Sequence, residues 1–472
     1  PTKVNRQGAL INSVTLNRFG TPESIQVKGT TFVDATYEGD LFALADVPYR
    51  VGREARDEYN EPHAGKVFVN IDGHRPESIV KEGVNIRVYG ARQGSMDPTS
   101  PFTADGAVQA YNYRFCVTSD PANRLPIPKP ASYNREDYLN FHRRYIPASI
   151  GPNHKSHVNS PIMPGQNHAY PEADWSAREQ IIQQHLEFGL GLMWFLQHDE
   201  SIPAAQRKKY LEWGLPKDEY ADHDQVPYEM YVREARRIVG RHVFNENDGM
   251  LTEDYRRTPI HPDSIAVTDW YMDSHSCTTD SRPGFKYDGK LILTEESRPS
   301  QIPYRALLPQ GIDNLLVPVC LSATHIAWGA IRLEPVFLQT GEAAGYAAAL
   351  AKQQSTTAAD LDPELLLQTL VRYRQLVSFF NDIKITDSDP AIPAALYFAT
   401  KGFFNDYNAR LNEPLTQSVQ AAWEQGLQQL KQGTLNPRQL AKQVQQAEEQ
   451  NSPATTVKRG SFLLNAWDRI QN

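Results

Sequence analysis

Alternating apolar and polar residues near the start of the chain predict a β-hairpin. Residues 9–16 (ALINSVTL) and 24–33 (SIQVKGTTFV) carry the alternation, and the NRFGTPE between them contains the glycine and proline expected of a connection. Residues 107–118 (AVQAYNYRFCVT) alternate in the same way and predict a strand of an antiparallel sheet. Residues 50–105 are instead rich in charge, glycine and proline, which predicts a loop-rich region.

Three longer stretches have the apolar spacing of helices. Residues 174–198 predict a long amphipathic helix that Asp174 caps. Residues 227–240 begin with proline and end with glycine, which also predicts a helix. Residues 335–352 are rich in alanine, and Pro335 stands at the first turn of that predicted helix.

Two further regions lack a clear period. Residues 119–172 contain many prolines and predict an irregular segment that covers a site or a domain face. After about residue 386 the composition shifts to Gln, Ala and Leu, which predicts a separate small helical module. Within it, residues 392–416 are loosely similar in rhythm to an S-layer-homology repeat.

Length and composition indicate a globular protein of two or three domains, because the chain has 472 residues and a domain takes about 100–200. The net charge is -8 and no basic block occurs, so a nucleic-acid partner is not expected. No apolar run reaches the ~18 residues of a membrane span. The three cysteines form no CxxC pair and no zinc-ligand spacing appears, so neither a disulfide framework nor a metal site is predicted. The compartment remains open, cytoplasmic or exported.

Common catalytic signatures are missing from the sequence. There is no GxSxG nucleophile elbow, HExxH zinc helix, GxxxxGK phosphate loop or GxGxxG dinucleotide motif. The GxG formed by Gly189, Leu190 and Gly191 lies inside the long predicted helix, where it indicates helix packing.

Two strand–turn–helix segments carry more information. The first, TTFVDATYEGDLFALA from residue 30, has a strand that ends in a polar turn and leads into a short helix over 41–46. The second, NLLVPVCLSATHIAWGAIRLEPVFLQTGEAAGYAAALA from residue 314, repeats that order, with its strand over 314–319. Both resemble segments of the FAD-dependent oxidoreductase family, in the glutathione-reductase-like flavoprotein group. VPYRVGREARDEYNEPHAG, YMDSHS and IPYRALLP are also similar to family pieces, and the resemblance covers roughly residues 5–380.

The resemblance implies a fold and a domain order. Members of the family open with a βαβ unit whose glycine-rich turn holds the pyrophosphate of the cofactor. This sequence starts after such a unit, so we expect a fragment of a longer protein or a partner chain that supplies the missing piece. The expected class is α/β: an incomplete Rossmann-like FAD-binding domain (1–50 and 300–385), an inserted mixed α+β substrate domain (51–299), and the small C-terminal helical module (386–472).

The same resemblance implies FAD as cofactor and names residues that approach it. Reduced flavin carries negative charge near its pyrimidine edge, and a helix start such as that at Pro335 offers partial positive charge. The residues expected at the cofactor are Asp34, Ala35, Thr36, Gly39, Asp40, Ser322, Ala323, Gly329, Ile331 and Arg332. For Asp40 the alternative is a helix cap, and for Arg332 it is an ion pair with Glu334 or another carboxylate.

Substrate-side candidates follow from the chemistry of hydride removal, which needs a nearby base when the carbon bears O–H or N–H. His275 in MDSHS is the first candidate and His325 in SATHIAWG the second, while Arg305 could clamp a carboxylate or another polar group. Arg53 and His63 are weaker candidates. For each histidine the alternative is a hydrogen-bonded structural residue.

The remaining charged residues are ambiguous from sequence. Clustered loop histidines could bind a metal or lie solvated, and the basic residues of the second predicted helix could form salt bridges or reach the site. These residues are His154, His157 and His168, and Arg233, Arg236 and Arg237.

Three hypotheses for the function remain at this point. The first is two-electron redox chemistry on a small-molecule substrate through FAD, with an unidentified electron acceptor. The second is a non-catalytic or split-enzyme chain that acts as a binding or envelope-associated module. The third is a carbohydrate-acting lyase or hydrolase, which no motif supports.

Overall fold

The computed structural model describes residues 1–80, 83–139 and 151–471 and has a mixed α/β fold. The strands are β1 Lys3–Gln7, β2 Leu10–Asn17, β3 Ser24–Lys28, β4 Phe32–Val33, β5 Tyr49–Arg50, β6 Phe68–Val80, β7 Arg87–Met96, β8 Phe115–Thr118, β9 Arg124–Leu125, β10 Lys155–Val158, β11 Leu215–Pro216, β12 Arg237–Ile238, β13 Ser264–Thr268, β14 Met272–Asp273, β15 Tyr287–Asp288, β16 Ile292–Leu293, β17 Ser300–Pro303, β18 Leu315–Leu316, β19 Pro414–Thr416 and β20 Ala454–Lys458. The α-helices are α1 Asp40–Leu44, α2 Arg56–Tyr59, α3 Trp175–His198, α4 Ala204–Tyr210, α5 His325–Ile331, α6 Glu334–Gln353, α7 Pro363–Arg372, α8 Ala391–Thr400, α9 Gln417–Lys431, α10 Pro437–Glu449 and α11 Arg459–Gln471.

The chain folds into two compact units that are not contiguous in sequence. The first unit comprises Pro1–Gly106, Arg236–His275 and Asp280–Asn472, and the second comprises Ala107–Ala235 and Ser276–Thr279. These boundaries differ from the expected ones at residues 50, 299 and 385. The functional division into cofactor, substrate and C-terminal parts stays a prediction.

The first unit begins with the predicted hairpin, which is confirmed. Strands β2 and β3 pair antiparallel, and β1 extends them to a three-stranded sheet. Strand β4 then pairs with β18, about 280 residues later in the chain, in parallel register, Phe32 beside Leu315 and Val33 beside Leu316. The other strand pairs of the described residues are antiparallel. The parallel pair therefore fixes where the two strand–turn–helix segments meet.

The loop prediction for residues 50–105 is wrong in large part. Strands β6 and β7 form a long antiparallel hairpin, and β15 adds to its edge. The register of β6 against β7 shifts three times, and such bulges break the strict alternation by which a strand is recognised in a sequence. Charge and glycine content alone therefore misled the prediction.

Helices α1, α3 and α6 confirm three predictions. Asp174 accepts a hydrogen bond from the backbone N–H of Ala177 and so caps α3, as expected. Pro335 lies in the first turn of α6, where its missing N–H costs no intrahelical hydrogen bond.

The helix predicted over 227–240 is wrong. This stretch is extended or irregular, and Arg237 and Ile238 form strand β12 against β5. Arg236 and Arg237 are buried and reach different carboxylates, Asp40 and Glu54. Extended backbone sends adjacent side chains in opposite directions, which a helix does not do. The tertiary ion pairs of the two arginines thus outweigh the local preference for a helix that the terminal proline and glycine indicated.

The second unit is organised around α3. Strand β8 pairs with β10 and β9 with β11, so the strand predicted over 107–118 is confirmed for its last four residues. Residues 140–150 of the predicted irregular segment lie outside the described residues. A Cβ on Gly189 would lie 2.5 Å from the ring of Phe115, and one on Gly191 would lie 2.1 Å from the Tyr138 hydroxyl. This close packing explains the GxG within α3.

The C-terminal helices α8 to α11 belong to the first unit. Their apolar side chains, including Trp423 and Leu440, form one continuous core with residues of α5, α6 and α7. Among the described residues, no helix combines the length and the apolar character that a membrane crossing requires.

Candidate functional site

The first strand–turn–helix segment lies at the carboxyl end of the parallel strand pair. Phe32 N donates to Asn314 O at 2.8 Å, and Asp34 N donates to Leu316 O at 2.9 Å. Ligands of α/β proteins bind at the carboxyl ends of such strands. The expected cofactor residues Asp34, Ala35, Thr36, Gly39 and Asp40 follow at this end.

Asp34 organises the turn from within. Its carboxylate accepts hydrogen bonds from the hydroxyl of Thr36 (2.7 Å), the backbone N–H of Thr36 (3.2 Å) and the backbone N–H of Phe42 (3.2 Å). Thr36 Oγ1 in turn accepts from Gly39 N at 3.0 Å. Burial raises the pKa of Asp34 above its usual value, and the hydrogen bonds from Thr36 and Phe42 oppose that rise. Asp34 therefore stabilises the turn from its buried side, while Ala35 and Thr36 are exposed.

Gly39 is required by the shape of the turn. Its φ is +70°, and a Cβ at this position would lie 2.1 Å from the Phe42 ring. Gly39 is also the N-cap of α1, and no side chain caps this helix. Asp40 instead pairs with Arg236 at 2.7 Å, so the structure does not give Asp40 the alternative role of helix cap.

Two adjacent arginines join the two segments. Arg236 donates to Asp40 and to Glu38 O (3.2 Å) on the first segment. Arg237 donates to Glu54 Oε1 at 2.9 Å and to Ala323 O at 2.6 Å on the second. Cys320 Sγ adds a direct contact, at 3.3 Å from Thr36 O. The structure therefore brings the turn at 34–40 and the segment at 322–332 together.

The second segment is buried throughout. Its expected cofactor residues Ser322, Ala323, Gly329, Ile331 and Arg332 all have little or no exposed surface. Three of its backbone N–H groups already have partners: that of Ser322 donates to Ala306 O, that of Thr324 to Phe244 O and that of His325 to Glu54. Direct contact between this segment and a flavin would require the groups that cover it to move.

Three of the predicted site residues lie at or next to residues 273–275. Ser274 Oγ lies 3.1 Å from His325 Nε2, and Arg332 donates to Asp273 Oδ2 at 3.0 Å. His275 Nε2 lies 3.8 Å from the same Asp273 oxygen. A Cβ on Gly329 would lie 2.6 Å from Asp273 N, so α5 can approach this strand only with glycine there. Arg332 thus pairs with a carboxylate other than that of Glu334.

A second group of titratable residues lies beside the N-terminus of α5. Glu61 Oε1 accepts from Thr324 Oγ1 at 2.6 Å and from Glu246 N at 2.7 Å, and Glu61 Oε2 has no hydrogen-bond partner among the described residues. Burial raises the pKa of Glu61 to about 7, against the opposing effect of its hydrogen bonds to Thr324 and Glu246.

His63 extends this group toward solvent. Its backbone N–H donates to Glu246 Oε2 at 3.1 Å, and its ring Nδ1 pairs with Glu246 Oε1. Burial lowers the pKa of His63, but the hydrogen bond to Glu246 and the negative charges of Glu246 and Glu296 together outweigh burial, and the net pKa is raised. The sequence offered His63 as a weak candidate and missed Glu61, because the EPHAG motif gives no sign that its glutamate is buried.

Arg305 is not part of this assembly. Its guanidinium donates to Asp263 at 2.9 and 3.1 Å and lines a different surface pocket, which Lys401 and Glu364 also line. Arg53 is fully buried between Asp105 and Asp288. Both therefore have carboxylate partners, and the clamp role of Arg305 stays a prediction.

The loop histidines and the cysteines have ordinary surroundings. His168 Nε2 lies 2.8 Å from Cys277 O, and no disulfide bond joins Cys116, Cys277 and Cys320. A cluster that the sequence did not indicate is formed by His242, Asp248 and His261. Its members are six and thirteen residues apart, which matches no common metal motif.

The turn at 34–40 fits an FAD cofactor better than the buried segment does. Ala35 and Thr36 are exposed at the carboxyl ends of two parallel strands. Beside them, Arg236 Nε is buried and has no hydrogen-bond partner among the described residues. The turn thus offers exposed residues at the strand ends with the Arg236 guanidinium beside them, whereas the segment at 322–332 is buried.

Comparison with known proteins identifies a matching family. The family model described as "FAD dependent oxidoreductase" matches residues 1–370. No curated protein and no solved structure is significantly similar to the chain. The match spans well over half of the 472 residues and includes both strand–turn–helix segments and residues 273–275. The chain therefore belongs to the FAD dependent oxidoreductase family, whose cofactor is FAD.

Proposed function

We propose that this oxidoreductase carries out two-electron chemistry on a small organic substrate, with FAD at the turn 34–40 and a proton-transfer group on residues 273–275. The observation that carries the proposal is the convergence of distant predicted residues in one unit. His325 and Arg332 both contact residues 273–275, and the Arg236–Arg237 pair links Asp40 to Ala323. When bound, FAD accepts or donates the two electrons.

The turn would hold the cofactor through groups that are already fixed. Thr36 donates two hydrogen bonds to Asp34 and accepts one from Gly39, so the backbone at Ala35 and Thr36 is held rigidly. Arg236 is anchored on Asp40 and keeps its positive charge at the turn, where it favours a negatively charged group. A preformed site of this kind lowers the entropy lost on binding.

His275 is the group best placed to move a proton. Its side chain is 13% exposed, whereas His325 as a residue is 1% exposed. Asp273 lies near the His275 ring and is held by Arg332, so its carboxylate can orient the imidazole and stabilise the imidazolium. His325, through Ser274 Oγ, positions the backbone that carries His275.

The experiment separates cofactor binding from proton transfer. Purified protein is titrated with FAD, and binding is followed by quenching of flavin fluorescence. Reduction of the bound flavin by a panel of small alcohols and amines is then timed without oxygen. We expect His275→Gln to keep FAD binding and to slow reduction by ~10²-fold or more, the usual contribution of a general base.

Two outcomes would contradict the proposal. An FAD affinity that Arg236→Met leaves unchanged excludes the turn as the cofactor site. A His275→Gln variant that reduces flavin as fast as the unchanged protein excludes His275 as the base. The matched control is His198→Gln on α3, where the histidine stacks on Trp194 in the second unit and should affect neither step.

A further inference from the structure

Two histidines and an aspartate of the first unit form a compact cluster, which we call the His–Asp–His cluster. It consists of His242, Asp248 and His261, with one ligand atom of each within 4.8 Å of the other two. His242 Nε2 lies 3.0 Å from Asp248 Oδ2, and His261 Nε2 lies 3.0 Å from Asp248 Oδ1. The two imidazole rings meet edge to face, with centroids 5.0 Å apart.

The backbone holds each member of the cluster in place. Asp248 belongs to a capping box in which its carboxylate accepts from Asn245 N at 3.1 Å. His261 N donates to Gln301 Oε1 at 2.8 Å, and His242 N donates to Arg305 O at 3.3 Å. Three separately anchored segments thus bring the side chains together, which is the preorganisation a ligand site requires.

The donor atoms select a class of ion. Two imidazole nitrogens and one carboxylate oxygen suit divalent first-row transition metals, whereas Ca²⁺ and Mg²⁺ prefer sets made of oxygen alone. Zinc binds nitrogen and oxygen ligands at about 2.0–2.2 Å in tetrahedral geometry, which separates neighbouring ligand atoms by ~3.4 Å. The three ligand atoms lie within 4.8 Å of one another, and each imidazole nitrogen lies 3.0 Å from a different oxygen of Asp248, so an ion requires these side chains to shift slightly toward a common centre.

We infer that the His–Asp–His cluster is a binding site for a divalent transition cation, represented by Zn²⁺. Three protein ligands leave a coordination position open, as in catalytic rather than structural zinc sites. His261 also lines a surface pocket together with Arg305, Asn436 and Arg438. The cluster meets solvent through His242, whose side chain is 21% exposed. Arg438 of the pocket beside His261 favours a carboxylate or phosphate oxygen as the fourth ligand. The inference does not depend on the proposed flavin chemistry.

The alternative is a purely structural cluster in which Asp248 accepts a hydrogen bond from each imidazole. A metal site binds one equivalent of a divalent cation tightly, whereas a purely structural cluster does not. Protein without a histidine tag is stripped with a chelator and titrated with Zn²⁺ against a chromophoric competitor. We expect one tightly bound equivalent in the unchanged protein.

Variants test whether that equivalent lies in the cluster. Changes in groups that only support metal ligands cost about 10–100-fold in affinity, so loss of a ligand in His261→Gln or Asp248→Asn should weaken binding by more than ~100-fold. The matched control is His154→Gln, because this exposed loop histidine lies in the second unit. The Zn²⁺ affinity of this variant should equal that of the unchanged protein.

A second measurement covers the case in which a buried variant fails to fold. Co²⁺ bound to the unchanged protein should give the intense visible bands of four- or five-coordinate cobalt, and His242→Ala should abolish them. The His242 side chain is 21% exposed, so this replacement is the one that least disturbs the core. Absence of a stoichiometric site in the unchanged protein, or a site that survives all three cluster variants, would overturn the inference.

Discussion

The turn at Asp34–Asp40 and the segment at Ser322–Arg332 arise from the same kind of sequence but meet solvent differently. Each begins with a short apolar strand and continues through a polar turn into a helix. The turn exposes Ala35 and Thr36, whereas the segment is buried throughout. The difference arises because α5 and its preceding loop are covered by residues 52–54, 244–246 and 272–274.

The comparison separates two roles that the sequence could not distinguish. A ligand can approach the turn without any rearrangement. The segment instead acts as a support whose polar atoms are bonded to Arg237, Glu54 and Glu61. We therefore expect substitutions of exposed groups at the turn to change ligand binding. Substitutions in the segment at 322–332 should instead change the stability of the fold.

The largest effect is expected from Arg237→Met, which tests the supporting role. Arg237 is fully buried and joins Glu54 to Ala323 O. Removing it leaves the Glu54 carboxylate buried without this partner, and such a loss typically costs about 3–5 kcal/mol. Chemical denaturation measures the change in the free energy of unfolding.

Arg18→Met is the control for this variant. Arg18 pairs with Glu23 at 3.3 Å, and its side chain is 74% exposed, so less than ~1 kcal/mol should be lost. Equal losses in the two variants would mean that the segment is not held by its buried arginine.

Glu61→Gln tests the same support through pH. The pKa of Glu61 in the folded protein is about 7, above the ordinary value of ~4.3 expected after unfolding. A raised pKa in an acid means that its stabilising contribution is complete below the unfolded value and is lost as pH rises through the folded one. The unchanged protein should therefore lose roughly 2–3 kcal/mol relative to Glu61→Gln between pH 5 and pH 8.

Denaturation curves at both pH values give this difference. The exposed Glu253 provides the comparison, since Glu253→Gln should run parallel to the unchanged protein. A Glu61→Gln curve with the same pH slope as the unchanged protein would show that Glu61 titrates normally.

Several elements could be read from the sequence because their signals are local. The hairpin β2–β3, the cap of α3 by Asp174 and the proline at the start of α6 each depend on neighbours within a few residues. The two strand–turn–helix segments were also recognised as a pair. The parallel pairing of their strands shows that the two segments meet in the structure.

Other features depend on partners far along the chain and left no local signal. Arg236 and Arg237 lie in an extended stretch although the surrounding sequence resembles a helix. Their ion-pair partners, Asp40 and Glu54, lie almost two hundred residues earlier in the chain. The burial of Glu61 and the meeting of His242 with His261 depend in the same way on tertiary packing. Residue type and spacing could not reveal them, because the electrostatic environment is set by the fold.

A smaller effect at the turn itself comes from Gly39→Ala compared with Gly20→Ala. Both glycines have φ near +70°, but a Cβ on Gly20 meets nothing within 4 Å, whereas one on Gly39 strikes the buried Phe42 ring. The left-handed backbone costs ~1 kcal/mol in each variant. The clash should raise the cost at Gly39 to roughly 2–3 kcal/mol, typical of overpacking.

Thermal and chemical unfolding measure both glycine variants. If they lose equal stability, the backbone angle alone matters and the Phe42 contact does not shape the turn. If Gly39→Ala loses more, the turn is held against the core of the first unit, as the contacts of Asp34 and Phe42 indicate.

The smallest effect separates binding from stability at an exposed residue of the turn. Thr36→Val removes the hydroxyl that donates to Asp34 and accepts from Gly39, while Thr36→Ser keeps it. We expect the valine variant to lose ~1 kcal/mol of stability, because Thr36 is exposed and water replaces part of each bond. If FAD binds the preformed turn, its affinity should also fall by about fivefold, the equivalent of ~1 kcal/mol. A serine variant that loses as much stability as the valine variant would show that the hydroxyl alone does not account for the loss, and unchanged FAD affinity in both variants would place the cofactor elsewhere.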